Sequence, residues 1–361
     1  MKRLKSILLA LSMVFATAGC GGEALAESVE NEVQHGTAVE TISDDALMLQ
    51  VHFIDVGQAD CALLISDGHY MVIDGGNNGD ADTILSYLKA QGVGKLDAVV
   101  GTHPHEDHIG SLDAIINNFP VDAVYMPKIM HTSGTFEDVL DAISNKGLKI
   151  KSPNPGDTID FNGLTIEVLG PQQEYSDFNN NSIVLKVTAG ETAFLFTGDA
   201  EEPAEEDILN AGYDLQADVL KVGHHGSNTA SSKAFLQAVS PKYAVISVGT
   251  GNSYNHPEEE ALSRLKSVGA EIYRTDLQGT IVCSTDGQNI AFNCVSTDTS
   301  NISVDSTATE ESTELYIANK NSKKFHTEEC SSLPDEANRV YLESREEAVA
   351  LGYTPCGSCK P

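Results

Sequence analysis

Positively charged side chains are scarce in this sequence. Its 361 residues include 22 Lys and Arg against 53 Asp and Glu, which gives a formal net charge of −31. This excess of negative charge excludes long-range electrostatic attraction to a polyanion such as DNA. Any chemistry on phosphate groups therefore depends on local cations, with metal ions as the first candidates. Because 41% of the residues are hydrophobic, the chain can form one large core or two smaller ones.

Long apolar runs are also few, and no segment reaches the roughly 18 consecutive apolar residues that a membrane-spanning helix needs. The sequence begins with a basic stretch at 2–5, an apolar run at 7–16 and small residues before Cys20. This order is typical of a signal peptide over 1–19. The ending TAGC is similar to a bacterial lipobox, so we expect an extracellular protein anchored to the cell membrane by a lipid on Cys20. Secretion without an anchor is the alternative.

Two stretches poor in large apolar residues divide the chain. Residues 20–46 contain seven acids and no Lys or Arg, and residues 296–313 are rich in Ser and Thr. We expect a flexible acidic tether and a linker there, because neither stretch can bury much apolar surface. Two folded units remain: 47–295, with 13 basic and 34 acidic residues, and 314–361, with 6 and 8.

Short β-rich runs outnumber helical patterns in the large unit. The runs are bounded by Gly, Pro, Asn or Asp, which is typical of strands. Apolar residues at helical spacing predict helices at 80–91, 109–118, 135–146, 201–211, 231–239 and 257–268. We predict an α+β fold of layered sheets covered by helices, with the polar chemistry at strand ends and in loops.

The densest group of metal-binding residue types is the run THPHEDHIG. It places His103, His105, Asp107 and His108 directly after a buried-looking strand, on a turn that contains Pro104. Because the chain reverses direction there, four potential ligands within six residues can point at one small volume. Imidazole and carboxylate groups together suit Zn, Mn or Fe.

Two later motifs add potential ligands at the ends of other apolar strands. Asp199 follows the run AFLF, and its two carboxylate oxygens can bridge two cations. The alternative role of Asp199 is to cap the helix predicted from 201. His224 and His225 follow the run DVLKV, and one of them is expected to bind metal while the other contacts substrate or supports the ligands.

The order of these motifs resembles that of the metallo-β-lactamase-fold superfamily. The runs HFIDVGQADCALLI, THPHEDHIGSL, NNNSIVLKV, FTGDAEE and LKVGHHGS are similar to the hydrolase domain of the ComEC-like branch, over nearly all of 51–263. The resemblance implies a four-layer αββα sandwich with one or two divalent metal ions, Zn or Mn, at the sheet edge.

The resemblance also implies a role for each matching residue. His103 and His105 would hold one ion, Asp107 and His108 the other, and Asp199 would bridge them. Asp107 is also assigned to catalysis. One histidine of the pair at 224 and 225 completes the second site, and we assign His225 as the ligand and His224 as a substrate contact. Asp74 would orient the ligands. The implied metal ligands are thus His103, His105, Asp107, His108, Asp199 and His225.

One ligand of the superfamily has no counterpart here. Typical members have a further histidine between the H-x-H-x-D-H run and the bridging Asp, whereas this chain contains FNNNSIVLKV at that point. His131 is the sole histidine in the interval, and it lies well before that strand. The ComEC-like branch shows the same pattern, which implies that Asn181 and Ser182 bind substrate or support the ligands. The first ion is therefore expected to have fewer protein ligands, to be weakly held or to be absent.

Three further polar residues are predicted to line a substrate site. His256, in SYNHPEE, can donate a proton to a leaving group or a hydrogen bond to a phosphate oxygen. Its alternative role is structural, at a helix start with Pro257 in the first helical position. Ser227 and Asn255 are placed as polar lining, with an equal weight on a purely structural role.

Two other features predict local structure. The acids Asp55 and Asp60 flank a turn, whose hydrogen bonds explain much of their presence. A two-residue hairpin turn at 286–287 would set Cys283 opposite Ile290, which favours a buried thiol over a disulfide.

The last unit carries a second metal signature. The pair His326 and Cys330 is separated by 25 residues from the pair Cys356 and Cys359, a pattern that matches a closed structural zinc site. A redox pair of Cys356 and Cys359 is the alternative. The run over 316–361 is similar to the metal-binding module of the Ada DNA-repair protein. His326 stands in place of the first cysteine, so the resemblance implies zinc but not methyl transfer. DNA or cell wall is the hypothetical contact of this unit.

The predicted activity is hydrolysis of a phosphoester by a metal-activated water. The ComEC resemblance favours an extracellular phosphodiesterase or nuclease acting on DNA. The acidity of the large unit favours a smaller substrate, such as phosphorylcholine on cell-wall polymers, a chemistry known in similar domains. A lipoprotein that binds DNA or cell wall without catalysis is the third hypothesis.

Overall fold

The computed structural model describes residues 42–43, 46–294, 296–297, 316–327, 330, 333–334, 338–342 and 353–356. The predicted signal peptide, the lipobox with Cys20, most of the tether and linker, and Cys359 lie outside these residues. The chain forms two compact units, Met1–Thr297 and Asp298–Pro361. Among the described residues, no helix has both the length and the hydropathy of a membrane span.

The first unit is built from strands that pair into two sheets and from helices that cover them. In chain order the strands are β1 Leu49–Phe53, β2 Ala62–Ser66, β3 His69–Ile73, β4 Ala98–Val100, β5 Val124–Tyr125, β6 Ile150–Lys151, β7 Thr158–Phe161, β8 Leu164–Gly170, β9 Val184–Ala189, β10 Thr192–Phe196, β11 Val219–Lys221, β12 Tyr243–Ile246, β13 Glu271–Arg274, β14 Ile281–Thr285 and β15 Ile290–Phe292. The helices are α1 Ala81–Ala90, α2 Glu106–Ile109, α3 Leu112–Asn118, α4 Gly134–Asn145, α5 Glu202–Ala211, α6 Lys233–Val239, α7 Glu259–Ser267 and α8 Thr275–Gln278.

The two sheets have eight and seven strands. The first sheet has the order β15-β14-β1-β2-β3-β4-β5-β6, and the second has the order β13-β12-β11-β10-β9-β8-β7. Strands β3 to β6 run parallel to one another, as do β10 to β13. The carboxyl ends of neighbouring parallel strands therefore meet at one edge of each sheet.

The core between the sheets follows from the alternation of side chains along each strand. In β3, Met71 and Ile73 face the inter-sheet core, whereas Val72 packs with the helices outside. In β10, Phe194 faces the inter-sheet core and Leu195 faces outward. The strands are apolar on both faces because both faces of each sheet are covered.

Two outer helical layers complete the unit. Ile84 of α1 and Ile115 of α3 pack on the outer face of the first sheet, and Ile208 of α5 and Leu236 of α6 pack on the outer face of the second. The order helix, sheet, sheet, helix confirms the predicted four-layer αββα sandwich. The six predicted helices are also present, and each end lies within three residues of its predicted position.

One local prediction and two of the alternative roles were wrong. Helix α5 begins at Glu202 with Glu201 at its N-cap, so Asp199 does not cap it. Helix α7 begins at Glu259, and Pro257 therefore lies before its first position. Cys283 lies opposite Phe292 rather than the residue predicted, since the loop between β14 and β15 contains four residues. The Asp286 carboxylate accepts backbone hydrogen bonds inside that loop and so stabilises the longer turn.

The second unit contains a small sheet. Its strands are β16 Tyr316–Asn319, β17 Lys324–Thr327, β18 Arg339–Leu342 and β19 Thr354–Pro355, in the order β18-β16-β17-β19. Ala318, Phe325, Leu342 and Tyr353 form its buried apolar cluster. A unit of the 48 residues 314–361 is near the size at which a core alone is marginal, so a bound metal would contribute to its stability.

Candidate metal centre

The predicted ligands meet where strands of both sheets end. Asp74 follows β3 and His103 follows β4 in the first sheet, while Asp199 follows β10 and His224 follows β11 in the second. His105 is the N-cap residue of α2, and Asp107 and His108 lie within this short helix. The site is therefore assembled across the sandwich, from residues far apart in the chain.

One group of donor atoms gathers around the Asp199 oxygen Oδ2. His103 Nε2 lies 3.8 Å from it. His103 Nε2 also lies 3.0 Å from His105 Nδ1. His103 is buried and His105 is half-buried, so this side of the site opens to solvent at His105.

A second group of donor atoms gathers around the other oxygen, Oδ1. His108 Nε2 lies 3.1 Å and His225 Nε2 4.0 Å from Asp199 Oδ1. His225 Nε2 is also 3.3 Å from Asp107 Oδ2. One ligand atom from each of these four residues lies within 4.8 Å of all the others. The carboxylate of Asp199 is thus shared between the two groups.

These donors fit divalent cations. His108 Nε2 and Asp199 Oδ1 are fully buried and make no hydrogen bond with any described residue, although they face each other. Burial alone would lower the pKa of His225, but Asp199 and Asp60 raise it to about 10. Burial would likewise raise the pKa of Asp199, and the imidazoles of His108 and His225 instead hold it well below its usual value. The carboxylates thus favour positive charge at the place where a cation would bind.

The ligands are held from behind by hydrogen bonds. His108 Nδ1 donates to Asp74 Oδ2 over 2.9 Å, and Asp74 also accepts from the backbone and the hydroxyl of Thr102. Ser182 Oγ lies 3.2 Å from His103 Nδ1 and accepts the Asp199 backbone N–H over 3.0 Å. Such outer contacts fix the ring orientation and the tautomer of a ligand histidine. Asp74 has the contacts expected of an orienting residue.

Close packing at Gly198 keeps this support in place. Gly198 has φ +52°, a left-handed conformation, and an added Cβ would lie 2.9 Å from Ser182 Oγ and 3.0 Å from Thr102 Cβ. The residue before Asp199 must therefore be glycine for steric as well as conformational reasons.

Sequence reasoning missed a buried ion pair next to the ligands. Lys221 Nζ donates to Asp60 Oδ2 over 2.7 Å, and both side chains are buried. The other oxygen of Asp60 lies 3.3 Å from His225 Nδ1, which donates to the Ser247 carbonyl over 3.0 Å. The turn explanation holds for Asp55, whose carboxylate accepts the Gly57 N–H. Asp60 instead supports the ring of His225.

Sequence reasoning also missed Glu201. His224 Nδ1 lies 3.2 Å from Glu201 Oε1, and the same oxygen accepts a hydrogen bond from Thr229 over 2.8 Å. The contact with His224 lowers the pKa of Glu201, although burial opposes the shift. Nothing in the acidic run EEPAEED distinguishes Glu201 from its neighbours, so no sequence signal could have identified it.

The predicted substrate residues occupy different positions around the site. The Asn181 amide is buried and bonds to the backbone of Tyr175 and Asp177 in its own loop. Ser227 Oγ lies 3.0 Å from Thr229 Oγ1. Asn255 is exposed. The structure thus places these residues without assigning substrate contacts to them.

His256 lies beside the histidine pair. Its ring centroid is 5.6 Å from that of His224 and 6.4 Å from that of His225. Burial and the two neighbouring imidazoles lower the pKa of His256, which favours its neutral form. Its buried Nδ1 makes no hydrogen bond with any residue in the described ranges.

His131 does not take the place of the missing ligand. Its ring packs 4.7 Å from that of Phe178, and its Nδ1 bonds to Ser133. The rings of His131 and His105 are 6.4 Å apart. His131 therefore borders the solvent side of the site.

A third donor cluster lies in the second unit. Ligand atoms of His326, Cys330 and Cys356 lie within 4.8 Å of one another, and all three residues are buried. His326 Nδ1 is 3.3 Å from Cys330 Sγ. One imidazole and two thiols suit zinc. The predicted fourth ligand, Cys359, lies outside the described residues.

Comparisons with known proteins agree with this geometry. The family model described as "Metallo-beta-lactamase superfamily" matches residues 54–250, more than half of the chain. The model described as "Metal binding domain of Ada" matches residues 303–361. The crystal structure of the metallo-beta-lactamase fold protein YhfI from Bacillus subtilis covers 66% of this chain and 99% of its own, with 14% identity and a TM-score of 0.47.

Two curated relatives share about a third of their residues with this chain over the aligned regions. ComE operon protein 3 of Bacillus subtilis (strain 168) is 35% identical over 199 residues, 55% of this chain and 26% of that protein. Competence protein ComA of Neisseria gonorrhoeae is 34% identical over 232 residues, 63% of this chain and 31% of that protein. The chain thus spans about a quarter to a third of the length of these relatives.

The sandwich and its edge of paired imidazoles and carboxylates are those of a metal-dependent hydrolase. Within that class, the chain belongs to the metallo-β-lactamase superfamily. Its resemblance to the ComEC-like branch and to the Ada zinc-binding module is confirmed.

Proposed function

We propose that the chain is an extracellular phosphodiesterase, with nuclease activity as its leading form. The observation that carries the proposal is the carboxylate of Asp199, whose two oxygens each face a separate group of donors. When bound, a pair of divalent ions supplies a reactive water and stabilises charge on the oxygens of an in-line displacement. This chemistry suits phosphate esters.

Side chains of the first unit would hold the two ions. Asp107, His108 and His225 would hold one ion, and His103 and His105 the other. His256 lies next to the ligands, and its lowered pKa favours the neutral ring. The N–H of this ring can donate a hydrogen bond to a phosphoryl oxygen. The low pKa of His256 keeps it from repelling the cations.

Two observations point to different phosphodiesters. Relatives named for competence, together with the ComEC resemblance, support DNA as the substrate. The hydrolase unit has 13 basic against 34 acidic residues, which opposes the approach of a long polyanion. This charge favours the second candidate, a phosphorylcholine esterase acting on cell-wall polymers.

One assay separates these candidates. The full chain is incubated with bis-p-nitrophenyl phosphate, single-stranded DNA or p-nitrophenyl phosphorylcholine, with and without Mn²⁺ or Zn²⁺. We expect metal-dependent hydrolysis of the first substrate and of one of the other two. When Asp199→Asn is assayed in the same way, Asp138→Asn serves as the control for loss of an acid, because Asp138 is an exposed residue of α4. If none of the three substrates is hydrolysed after metal reconstitution, the proposal is refuted, and the hypothesis of a non-catalytic binding lipoprotein remains.

We also propose that the chain is anchored to the outer face of the cell membrane by a lipid on Cys20. The support is the basic, apolar and small-residue order that ends in TAGC. Radioactive palmitate labelling and membrane fractionation test the anchor. The wild type should be labelled and sediment with membranes, and Cys20→Ala should remove both properties. An unlabelled wild type would leave simple secretion as the explanation.

A further inference from the structure

The first group of donors lacks the histidine that typical superfamily members supply. Ser182 lies at that point of the chain, but its hydroxyl does not take the place of a ligand. It contacts Nδ1 of His103, the ring nitrogen that points away from Asp199, and it accepts the Asp199 backbone N–H. Ser182 thus lies behind the donors and leaves one position of the group open.

His224 faces this open position. Its Nε2 lies 3.7 Å from Asp199 Oδ2, the same oxygen that His103 Nε2 approaches to 3.8 Å. The neighbouring His225 faces the other oxygen of Asp199. Donors about 2.1 Å from a tetrahedral ion lie about 3.4 Å apart, and the separations around Oδ2 are close to that value. The two adjacent histidines therefore divide between the two groups.

The backbone explains how adjacent residues can do this. His224 and His225 form the centre of the turn Gly223–Gly226 and have φ values of 49° and 52°. Two successive left-handed residues turn the side chains to different sides of Asp199, and the rings are inclined by 62°. Such a conformation is unfavourable for residues other than glycine, and it persists where the surroundings impose it.

Glu201 holds the far side of the His224 ring. Its Oε1 accepts from His224 Nδ1 over 3.2 Å and is itself fixed by Thr229 and by Asn179 Nδ2. A carboxylate on one ring nitrogen, with the other nitrogen directed at a metal, is the usual support of a metal-binding histidine. This contact directs His224 Nε2 towards Asp199.

We propose that His224 completes the ligand group of the first ion in place of the missing histidine, and that Glu201 positions it. The geometry favours this role over the substrate contact predicted from the sequence. The inference concerns the site of the proposed hydrolase and rests on metal binding there. Both histidines of the motif then bind metal, one on each side of Asp199.

Calorimetric titration of the metal-stripped full chain with Mn²⁺ tests the assignment without any substrate. Mn²⁺ is chosen because it prefers carboxylate oxygens, such as those of Asp199, over the thiols of the second unit. The wild type should bind two ions. His224→Ala should lower the affinity for one ion more than about 100-fold, and Glu201→Gln should lower the affinity for the same ion by roughly 10- to 100-fold. His225→Ala should lower the affinity for the other ion.

Two control variants make the result specific. His256→Ala removes an imidazole that lies beside both His224 and His225 and should leave both ions bound. Glu202→Gln removes an exposed charge next to Glu201 and should leave both affinities unchanged. The assignment would be overturned if His224→Ala still bound two ions with unchanged affinity. It would also be overturned if the wild type bound one ion and His224→Ala bound it with the same affinity. Because no substrate is present, failure of the phosphodiesterase proposal is a separate result.

Discussion

The buried pair of Lys221 and Asp60 offers a direct test of how the sandwich supports its metal centre. The side chains of Lys221 and Asp60 are 5% and 7% exposed, and their charged atoms are 2.7 Å apart. Burial alone would raise the pKa of Asp60, whereas Lys221 and then His225 hold it below its usual value. The carboxylate therefore depends on its cationic neighbours.

Lys221→Met preserves the size of the side chain and removes the charge. Breaking a buried ion pair leaves the other charge uncompensated, at a cost of about 3–5 kcal/mol. Because Asp60 keeps a contact with His225, we expect the lower end, about 3 kcal/mol. Lys242→Met is the matched control. Lys242 pairs with Asp218 over 2.9 Å but is 71% exposed, so its loss should cost less than about 1 kcal/mol.

Urea unfolding followed by far-UV circular dichroism measures these differences. The chain has no tryptophan, so fluorescence is a weak probe. A chelator is present throughout, because bound metal would stabilise each variant to a different degree. The double variant Asp60→Asn with Lys221→Met should lose about 1–3 kcal/mol less unfolding free energy than the two single variants lose together. Equal effects of Lys221→Met and Lys242→Met would refute the reasoning.

Three further predictions concern other parts of the chain. Asp199→Asn should remove both bound ions and lower phosphodiester hydrolysis by at least about 1,000-fold, since one carboxylate serves both donor groups; metal analysis and bis-p-nitrophenyl phosphate turnover measure this. Burial raises the pKa of Glu205 from 4.5 to about 7, so the folded state keeps a proton that the unfolded state releases. Stability should therefore fall as the pH rises from 4.5 to about 7, and Glu205→Gln should reduce that fall in urea titrations. Cys356→Ser should remove one zinc ion per chain, measured by elemental analysis, because it removes one donor of the C-terminal cluster.

Each of these predictions has a result that contradicts it. Two tightly bound ions in Asp199→Asn would show that the carboxylate does not bridge. An unchanged pH dependence in Glu205→Gln would show that the pKa of Glu205 does not differ between the folded and unfolded states. Full zinc content in Cys356→Ser would mean that the other ligands suffice.

The metal site could be predicted from the sequence where its residues are local or follow a recognisable strand. His103, His105 and His108 lie within six residues, and Asp199 closes an apolar run. Periodicity likewise located the six helices, because their apolar faces repeat at regular spacing.

Partners that meet only through the fold could not be predicted. Lys221 ends an apolar strand, and its partner Asp60 lies two residues before a strand of the other sheet. Neither position has a local pattern that reveals a buried pair. The register at Cys283 was also wrong, because four loop residues replace the assumed two-residue turn. The lesson is that side-chain hydrogen bonds in a loop can shift the pairing of a whole hairpin.

The position of Asp199 between strand ends of both sheets has a mechanical consequence. A cation held there would join an early stretch of the chain, which supplies His103 to His108, to a later stretch that supplies Asp199 and His225. The ion would then bind only after the two halves of the sandwich have packed together in the correct alignment. Binding of the cation would thus require the completed fold. A fragment that contains either half alone would lack part of the ligand set.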